Sequence, residues 1–287
     1  MVERARPLLG TTVAIRVERM DEDGAHRAIE AAFAAVAEVH RLMSFHEPDS
    51  DLSRLHRARC GTRVPLAAPT ADVLREALQL SAWSDGAFDV SIAGRLVAAG
   101  LLPPPADTRP PDRGSWRDIE LDDEDGVRLA RPLWIDLGGI AKGYAVDRAV
   151  AALREYGVAQ GSVNAGGDLR LLGEGPHFVA IDTGANAGGM DIEPSEQPVL
   201  ELGEAAVATS HSRHARAAIP HLDGRTLAPA GPGECVTVVA ERCIHADALT
   251  KVVLALGDAS EALLRRYDAT AYRQDLHGQW TTLGMPA

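Results

Sequence analysis

The segment Trp134–Asp168 constrains the fold of this chain most, because two Gly-Gly pairs flank an Ala-rich stretch within it. The first pair is Gly138-Gly139 and the second is Gly166-Gly167. The stretch between them ends at Gly157, and glycine is common just after the end of a helix. The pattern therefore predicts, in order, a strand at the apolar run Trp134-Ile135, a glycine turn, a helix, a second strand and a second glycine turn.

A glycine turn beside a helix start is suited to binding an anion. Glycine lets the backbone approach a ligand closely, and the free amides of a helix start attract phosphate. Lys142 would add a positive charge there, and Asp136 would offer an acceptor to a ribose hydroxyl or a base edge. An ordinary strand-to-helix connection also explains a single Gly-Gly pair, and both interpretations remain open for two pairs.

The segment matches neither of two common nucleotide-binding motifs. A P-loop needs Gly-Lys followed by Ser or Thr, which binds magnesium. Here Lys142 is followed by Gly143 and Tyr144. The glycines do not follow the GxGxxG pattern of dinucleotide-binding domains either.

The composition argues against a general nucleic-acid surface. The 287 residues carry a formal net charge of −12, and 46% of them are hydrophobic but only 4% aromatic. This length suits one large domain or two closely packed halves, with a core filled by Ala, Val and Leu. A phosphate-binding site on so acidic a protein must be a local positive pocket.

The three cysteines favour a reducing compartment. Cys60, Cys235 and Cys243 contain no CxxC pair and cannot all form disulfides. No apolar run has the length of a membrane span, and the first ten residues lack the apolar segment of a signal peptide. We therefore expect a cytoplasmic protein, or a periplasmic one if a leader precedes this sequence.

Hydrophobic periodicity predicts a mixture of helices and strands elsewhere. The predicted strands are Thr12–Glu18, Ile119–Leu121, Val127–Leu129, Ser162–Asn164, His177–Asp182, Ala205–Ala208, Cys235–Val239, Thr270–Arg273 and Gln279–Leu283. The predicted helices are Ala25–Met43, a short one at Leu52 and Leu55 capped by Ser50, Thr70–Asp85, His245–Gly257 and Ser260–Tyr267. Thr183–Pro198 is rich in glycine and acidic residues and is predicted to be a loop.

Two polar residues in other stretches are candidates for a site. His46 lies among Ser, Pro and Asp, a composition that also suits a surface loop. Asp89 lies between Phe88 and Val90, and a carboxylate in apolar surroundings must find partners. It would equally serve as the N-cap of a following helix.

Histidines between residues 208 and 229 suggest either a metal site or a ligand loop. The spacing of His211, His214 and His221 matches no standard zinc signature, and no cysteine lies close enough to complete one. A loop packed around a polar ligand, with His221 and Arg225 inside, is the better interpretation.

Asp247 and Lys251 are four residues apart in the predicted helix His245–Gly257, so they share one face of it. An ion pair at this spacing is worth roughly 0.3–0.5 kcal/mol and needs no ligand to explain it. A functional interpretation therefore needs more than the spacing.

Taken in order, these short motifs resemble the ApbE family of FAD:protein FMN transferases. The resemblance runs from Leu8–Val17 to Ala246–Gly257, which is most of the chain. The motifs are LLGTTVAIRV, MSFHEPDSDLSRL, GAFDV, IDLGGIAKGYAVD, VNAGGDLRLLG, ATS, HLDGRT and ADALTKVVLALG. Each is short, but their order and spacing together are specific.

The resemblance implies an α+β, T-fold-like architecture: two closely packed α/β halves in a single domain over residues 1–287, with FAD in the cleft between them. It also implies a reaction in which magnesium neutralises the FAD pyrophosphate. A Thr or Ser hydroxyl of an acceptor flavoprotein attacks the phosphorus on the FMN side, and AMP leaves. Positioning and charge stabilisation supply most of the catalysis in such a transfer. No nucleic-acid partner and no membrane insertion are expected.

The resemblance assigns roles to individual residues. FAD contacts fall on Leu9, His46, Ala87, Phe88, Asp89, Asp136, Lys142, His221, Leu222 and Thr250. The metal ligands would be the carbonyl oxygen of Gly139 and the carboxylate of Asp247. Catalytic roles fall on Asp247, which would hold magnesium or help to deprotonate the acceptor, and on His221 and Lys251.

Lys251 is the largest departure from the family pattern. The family's ADALAT reads ADALTK here, so Lys251 replaces the threonine whose hydroxyl completes the metal site. An ammonium group has three donors and no acceptor, so it cannot ligate magnesium. Either Lys251 supplies part of the metal's charge and contacts the pyrophosphate, or Asp247 holds magnesium with Gly139 and water while Lys251 turns aside. Smaller departures are Leu9 for methionine and His46 for an aromatic residue.

Three functions remain open at this point. The first is FMN transfer to an acceptor flavoprotein. The second, suggested by Lys251, is a flavin-binding protein that has lost catalysis. The third is an FAD pyrophosphatase, which uses water as the acceptor and yields FMN and AMP.

Overall fold

The computed structural model describes residues 1–106, 108, 111, 113–183, 198–212 and 221–284. Its strands are β1 (Val2–Leu8), β2 (Thr11–Glu18), β3 (Val64–Pro65), β4 (Ile119–Leu121), β5 (Gly126–Leu129), β6 (Gln160–Ala165), β7 (Asp168–Leu172), β8 (His177–Ala180), β9 (Val199–Leu202), β10 (Ala206–His211), β11 (Cys235–Ala240), β12 (Thr270–Gln274) and β13 (Trp280–Leu283). Its α-helices are α1 (Glu22–Met43), α2 (Asp51–Arg57), α3 (Ala68–Trp83), α4 (Ala93–Ala98), α5 (Ala141–Glu155), α6 (Cys243–Leu256) and α7 (Glu261–Arg266).

An antiparallel sheet of eight strands, in the order β1-β2-β6-β7-β10-β11-β12-β13, forms the main layer. Helices α1, α5 and α6 pack against it, and α5 also packs against both α1 and α6. Side chains along β2 point alternately to the two faces of the sheet. Val13, Ile15 and Val17 are therefore buried in the core, while the residues between them are not. The fold is therefore the α+β architecture that the family resemblance implies.

The sheet consists of two halves. The first contains β1, β2, β6 and β7 with α1 and α5, and the second contains β10 to β13 with α6. The halves meet where β7 pairs with β10, at Arg170 with Ala206 and Leu169 with Val207. Helices α5 and α6 pack together across this junction, so residues of both halves come close there.

A second, smaller sheet has the order β3-β5-β4. The predicted hairpin is confirmed, with Ile119 opposite Leu129. Strand β5 also pairs with Val64 and Pro65. This pairing was not predicted, because two residues are too few to show alternation.

The prediction that Trp134 and Ile135 form a strand is wrong. The segment has no strand partner; instead, the backbone N–H of Ile135 donates to Nε2 of His56 at 2.8 Å. The N–H of Asp136 donates to the carbonyl oxygen of Val90 at 2.9 Å. A short apolar run predicts burial, but it does not show which groups accept its backbone hydrogen bonds.

Helix boundaries follow local capping. Helix α1 begins three residues before the predicted start, because the carboxylate of Asp21 accepts from the N–H of Gly24 at 2.8 Å. Ser50 caps α2 as predicted, accepting from the N–H of Ser53 at 3.1 Å. Most of the predicted loop 183–198 lies outside the described residues. In the part of the chain that the structure describes, no helix is long and apolar enough to cross a membrane.

Candidate active site

A cavity of about 590 Å³ lies at the junction of the two halves. Residues assigned to FAD or to the metal line much of it: Leu9, His46, Ala87, Phe88, Asp89, Asp136, Gly139, Lys142, His221, Leu222 and Lys251. Apolar side chains such as Phe45, Ile92 and Leu102 line other parts. The volume lies within the range of ligand pockets, and the lining offers apolar surface beside a few charged groups.

The first glycine pair places Lys142 at this cavity. Asp136 accepts from the N–H of Gly138 at 3.1 Å and so holds the turn before α5. Helix α5 then starts at Ala141, which puts Lys142 in its first turn. This turn therefore brings a cationic side chain to the cavity, while the N–H of Gly143 in the same turn donates to Oδ2 of Asp247 at 3.0 Å.

The second glycine pair has a different role. Gly166 and Gly167, with φ of 64° and 101°, form the turn of the β6–β7 hairpin. These conformations favour glycine, and neither residue lines the cavity. Only the Asp168 that follows the pair contributes to the site.

Four ionised side chains, Lys142, Lys251, Asp168 and Asp247, form what we call the four-charge cluster. Nζ of Lys142 contacts Oδ2 of Asp168, and Nζ of Lys251 contacts Oδ1 of Asp247. Nζ of Lys142 also lies 4.0 Å from Oδ1 of Asp247. The aspartate side chains are 3% and 0% exposed, whereas those of Lys142 and Lys251 are 31% and 13% exposed. The lysines therefore cover buried carboxylates and face the cavity.

Burial and the attraction between opposite charges shift the pKa values in the cluster in opposite directions. Burial opposes ionisation of Asp247, but Lys142 and Lys251 outweigh it and hold the pKa of Asp247 below its usual value. Burial, followed by the charge of Asp247, raises the pKa of Asp168 to about 6. Burial also opposes the charge of Lys142, yet the two aspartates raise the pKa of Lys142. At neutral pH Asp168 and Asp247 are therefore carboxylates, and Lys142 is an ammonium group.

His221 reaches the cavity as a neutral imidazole. Burial, and then the charge of Lys251, lowers the pKa of His221 to about 3. A neutral ring has one nitrogen free to accept a proton. His221 therefore combines access to the cavity with the protonation state of a general base.

Asp89 both caps a short helix and lines the cavity. It caps the short 3₁₀ helix Val90–Ile92 by accepting from the N–H of Ser91 at 2.8 Å. It also accepts from the N–H of Trp116 at 3.1 Å and lines the cavity. Burial raises the pKa of Asp89 and also that of Asp136.

The structure places Thr250 behind the cavity wall. Its hydroxyl is fully buried, donates to the carbonyl oxygen of Asp247 at 2.7 Å and shares a 2.8 Å hydrogen bond with Oγ of Ser210. Ser210 and Thr209 line the cavity instead. They belong to the ATS motif, in which no residue was predicted to contact FAD or the metal.

The histidine and arginine side chains that were predicted to lie in one ligand loop belong to two different hollows. His211 and His221 line the cavity. Arg225 lines a neighbouring hollow and forms an ion pair with Asp223, with its Nη2 2.7 Å from Oδ2. His214 lies outside the described residues.

The residues present do not fit a divalent ion between Gly139 and Asp247. Lys251 engages Oδ1 of Asp247, and Oδ2 accepts from the N–H of Gly143 at 3.0 Å. Within the described ranges, no group of three His, Cys, Asp or Glu side chains could hold a metal ion. Magnesium can take most of its oxygen ligands from water but still needs a free carboxylate oxygen here, and the cation that already neutralises Asp247 is an ammonium group.

Comparison with known proteins places these features in one family. A model of the ApbE family matches residues 9–273. The FAD:protein FMN transferase of Vibrio cholerae is 26% identical over 274 residues, covering 90% of this chain and 82% of that protein. The FAD:protein FMN transferase of Haemophilus influenzae is 26% identical over 258 residues, covering 81% and 72%.

A solved structure shows the same fold. The crystal structure of the ApbE protein of Thermotoga maritima superposes with a TM-score of 0.82 at 26% identity, covering 98% of this chain and 96% of that chain. The similarity therefore extends over both halves of the sheet and the cavity between them.

Proposed function

This chain belongs to the ApbE family, and from that premise we propose that it transfers FMN from FAD to a Thr or Ser hydroxyl of an acceptor flavoprotein and releases AMP. FAD is the substrate, and the acceptor flavoprotein is the partner. We propose that residues 1–287 act as one domain, in the cytoplasm or, behind a leader, in the periplasm.

The observation that carries the proposal is the presence of Lys142 and Lys251 on one cavity wall. FAD combines two ring systems with an anionic pyrophosphate between them. The cavity offers apolar surface around Phe45 and Phe88 for a ring, and two ammonium groups for the phosphates. Asp136 and Asp89 add acceptors for ribose hydroxyls or base edges.

The proposed reaction is one phosphoryl transfer. The acceptor's hydroxyl oxygen forms a bond to the FMN phosphorus, while the bond from that phosphorus to the bridging oxygen breaks. AMP leaves with the bridging oxygen, and the proton of the hydroxyl passes to a base. We assign that base to His221, because its imidazole is neutral and faces the cavity.

Charge stabilisation would come from the chain itself. The lysines of the four-charge cluster lie where negative charge increases on the phosphate oxygens during transfer. Asp247 holds Lys251 in place through its carboxylate and its carbonyl oxygen. No step is assigned to magnesium, because the oxygens of Asp247 are already engaged.

The test is incubation of the purified chain with FAD and a fragment of a flavoprotein that the Vibrio cholerae relative flavinylates. We expect the fragment to gain the mass of one FMN group and AMP to appear in equal amount, measured by mass spectrometry and chromatography. If the fragment gains no mass and no AMP forms, the transferase proposal is wrong.

Lys251 also supports a second candidate, an FAD-binding protein without catalysis. In that case FAD would co-purify intact and AMP would not form. AMP and FMN in the absence of any acceptor would identify a pyrophosphatase instead. The same incubation, run with and without the fragment, separates all three functions.

A further inference from the structure

Lysine occurs at two positions in this chain, and both face the same cavity. Of the 29 Lys and Arg residues, 27 are arginine (29 less 2), and the two lysines are Lys142 and Lys251. An ammonium is a compact charge, whereas the guanidinium of arginine is wide and planar. We propose that Lys251 takes the place of a divalent metal, so that the FAD pyrophosphate binds to Lys142 and Lys251 without a metal ion.

Contacts of Lys251 support this assignment. Its ammonium group contacts Oδ1 of Asp247 and donates to the carbonyl oxygen of Asp247 at 2.9 Å. Its methylene chain runs beside Gly139, where a Cβ atom would lie 3.8 Å from Cε and 3.9 Å from Cγ. The lysine therefore lies against both of the residues expected to hold the metal.

A metal ion beside this ammonium would be repelled. Two like charges a few ångströms apart interact unfavourably, and more strongly where water is partly excluded. The side chain of Lys251 is only 13% exposed, and its described hydrogen bonds both go to Asp247. A divalent ion could bind only after the pair between Lys251 and Asp247 broke.

The ammonium keeps a donor for the ligand. Of its three donors, two are used by Asp247. Because Asp247 and Asp168 lie buried behind the lysines, a ligand in the cavity meets the positive side of both ion pairs. Charge-assisted hydrogen bonds from ammonium to phosphate oxygens are among the stronger polar contacts in proteins.

This inference rests on the proposed function, because it takes FAD as the ligand, but its test measures binding and not turnover. The dissociation constant of FAD would be measured by flavin fluorescence in EDTA and again in magnesium chloride. The proteins would be the wild type, Lys251→Thr and Lys251→Met, with Arg265→Met as a control. Arg265 forms an exposed i,i+4 pair with Glu261, with Nη2 2.6 Å from Oε1, outside the cavity.

We expect the wild type and the control to bind FAD equally well in both buffers. Lys251→Thr should bind about tenfold more weakly in EDTA, the effect of one lost charged hydrogen bond, and should recover in magnesium. Lys251→Met should bind weakly in both buffers, because methionine neither donates to phosphate nor ligates magnesium. Circular dichroism would verify that each variant is folded.

Several results would overturn the inference. If magnesium strengthens FAD binding by the wild type, or if one Mn²⁺ per chain is found by electron paramagnetic resonance in its FAD complex, Lys251 does not replace the metal, although the transferase proposal stands. Unchanged binding by a folded Lys251→Met would exclude a phosphate contact. If the wild type binds FAD in neither buffer, the proposed function itself is wrong.

Discussion

Oδ2 of Asp247 accepts a hydrogen bond from the backbone N–H of Gly143 at 3.0 Å, across the contact between α5 and α6. The helices approach so closely that a Cβ atom at Gly143 would lie 2.2 Å from the carbonyl oxygen of Cys243. The same contact brings Lys142 and Lys251 into one cluster. Close helix packing at a single glycine therefore creates the charged wall of the cavity.

Gly143→Ala should destabilise the protein by about 1–3 kcal/mol, because the added methyl group must push α5 and α6 apart. Within a helix, alanine is more favourable than glycine by about 0.8–1.0 kcal/mol, so a loss of stability cannot come from helix propensity. Urea unfolding would measure it. Gly203→Ala is the matched control, because its Cβ would meet nothing within 4 Å. A Gly143→Ala protein as stable as the wild type would contradict the clash.

Asp147→Ala should loosen the start of α6. The carboxylate of Asp147 accepts from the N–H groups of Cys243 and Ile244, both at 2.9 Å, and from Arg170 at 3.0 Å. We expect a loss of about 2 kcal/mol in the free energy of unfolding. FAD affinity should fall as well, because α6 carries Asp247. Asp147→Asn keeps one acceptor oxygen and should therefore lose less free energy of unfolding than Asp147→Ala. Equal losses of stability for the two variants would show that the remaining acceptor contributes nothing.

His56 should make stability depend on pH. Burial lowers the pKa of His56 to about 4 from an ordinary 6.5, and its Nε2 accepts from the N–H of Ile135. Between these pH values the unfolded chain binds a proton that the native protein does not, so stability falls as the pH falls from 6.5 to 4. The contribution lost is at most about 3 kcal/mol.

Urea unfolding of the wild type and of His56→Gln at several pH values checks this prediction. Glutamine can accept the same hydrogen bond but does not titrate in this range. The variant should therefore show a flatter dependence of stability on pH. If both proteins lose stability equally between pH 6.5 and 4, another group is responsible.

His221→Ala should slow FMN transfer by about 10²-fold, the low end of the usual contribution of a general base, because a pKa of about 3 makes this ring a weak base. FAD binding should weaken less, because the phosphate contacts are assigned to the lysines. Because the pKa of His221 is about 3, wild-type transfer should lose no activity through this ring between pH 7 and 5. Initial rates of FMN incorporation test both points, and an unchanged rate in the variant would exclude His221 as the base.

The sequence was most informative where a signal is local. Ser50 caps α2, and Ile119–Leu121 pairs with the strand ending at Leu129, because caps and hairpins depend on nearby residues. The i,i+4 spacing correctly placed Asp247 and Lys251 on one helix face. Of the residues to which the family motifs pointed, all but Asp247 and Thr250 line one cavity.

Other features depend on residues far apart in the chain. The two Gly-Gly pairs look alike in sequence, yet one borders the cavity and the other only turns a hairpin. Ile135 was predicted to lie in a strand because it belongs to an apolar run, but its backbone N–H donates to the side chain of His56 and not to another strand. Neither outcome could be predicted, because each depends on residues that are distant in sequence and come close only in the folded chain.

By itself the sequence determined most of the helices and strands, the family and the presence of a lysine where the family has a threonine. Only the tertiary structure decided what that lysine does. Helix packing at Gly143 brings Lys142, Asp168, Asp247 and Lys251 together, although they are spread over more than a hundred residues. A buried carboxylate is neutralised by the cation that the fold holds next to it, which is either a metal ion or an ammonium group. The reason is that the free energy of a buried charge is set by its nearest neighbours in space.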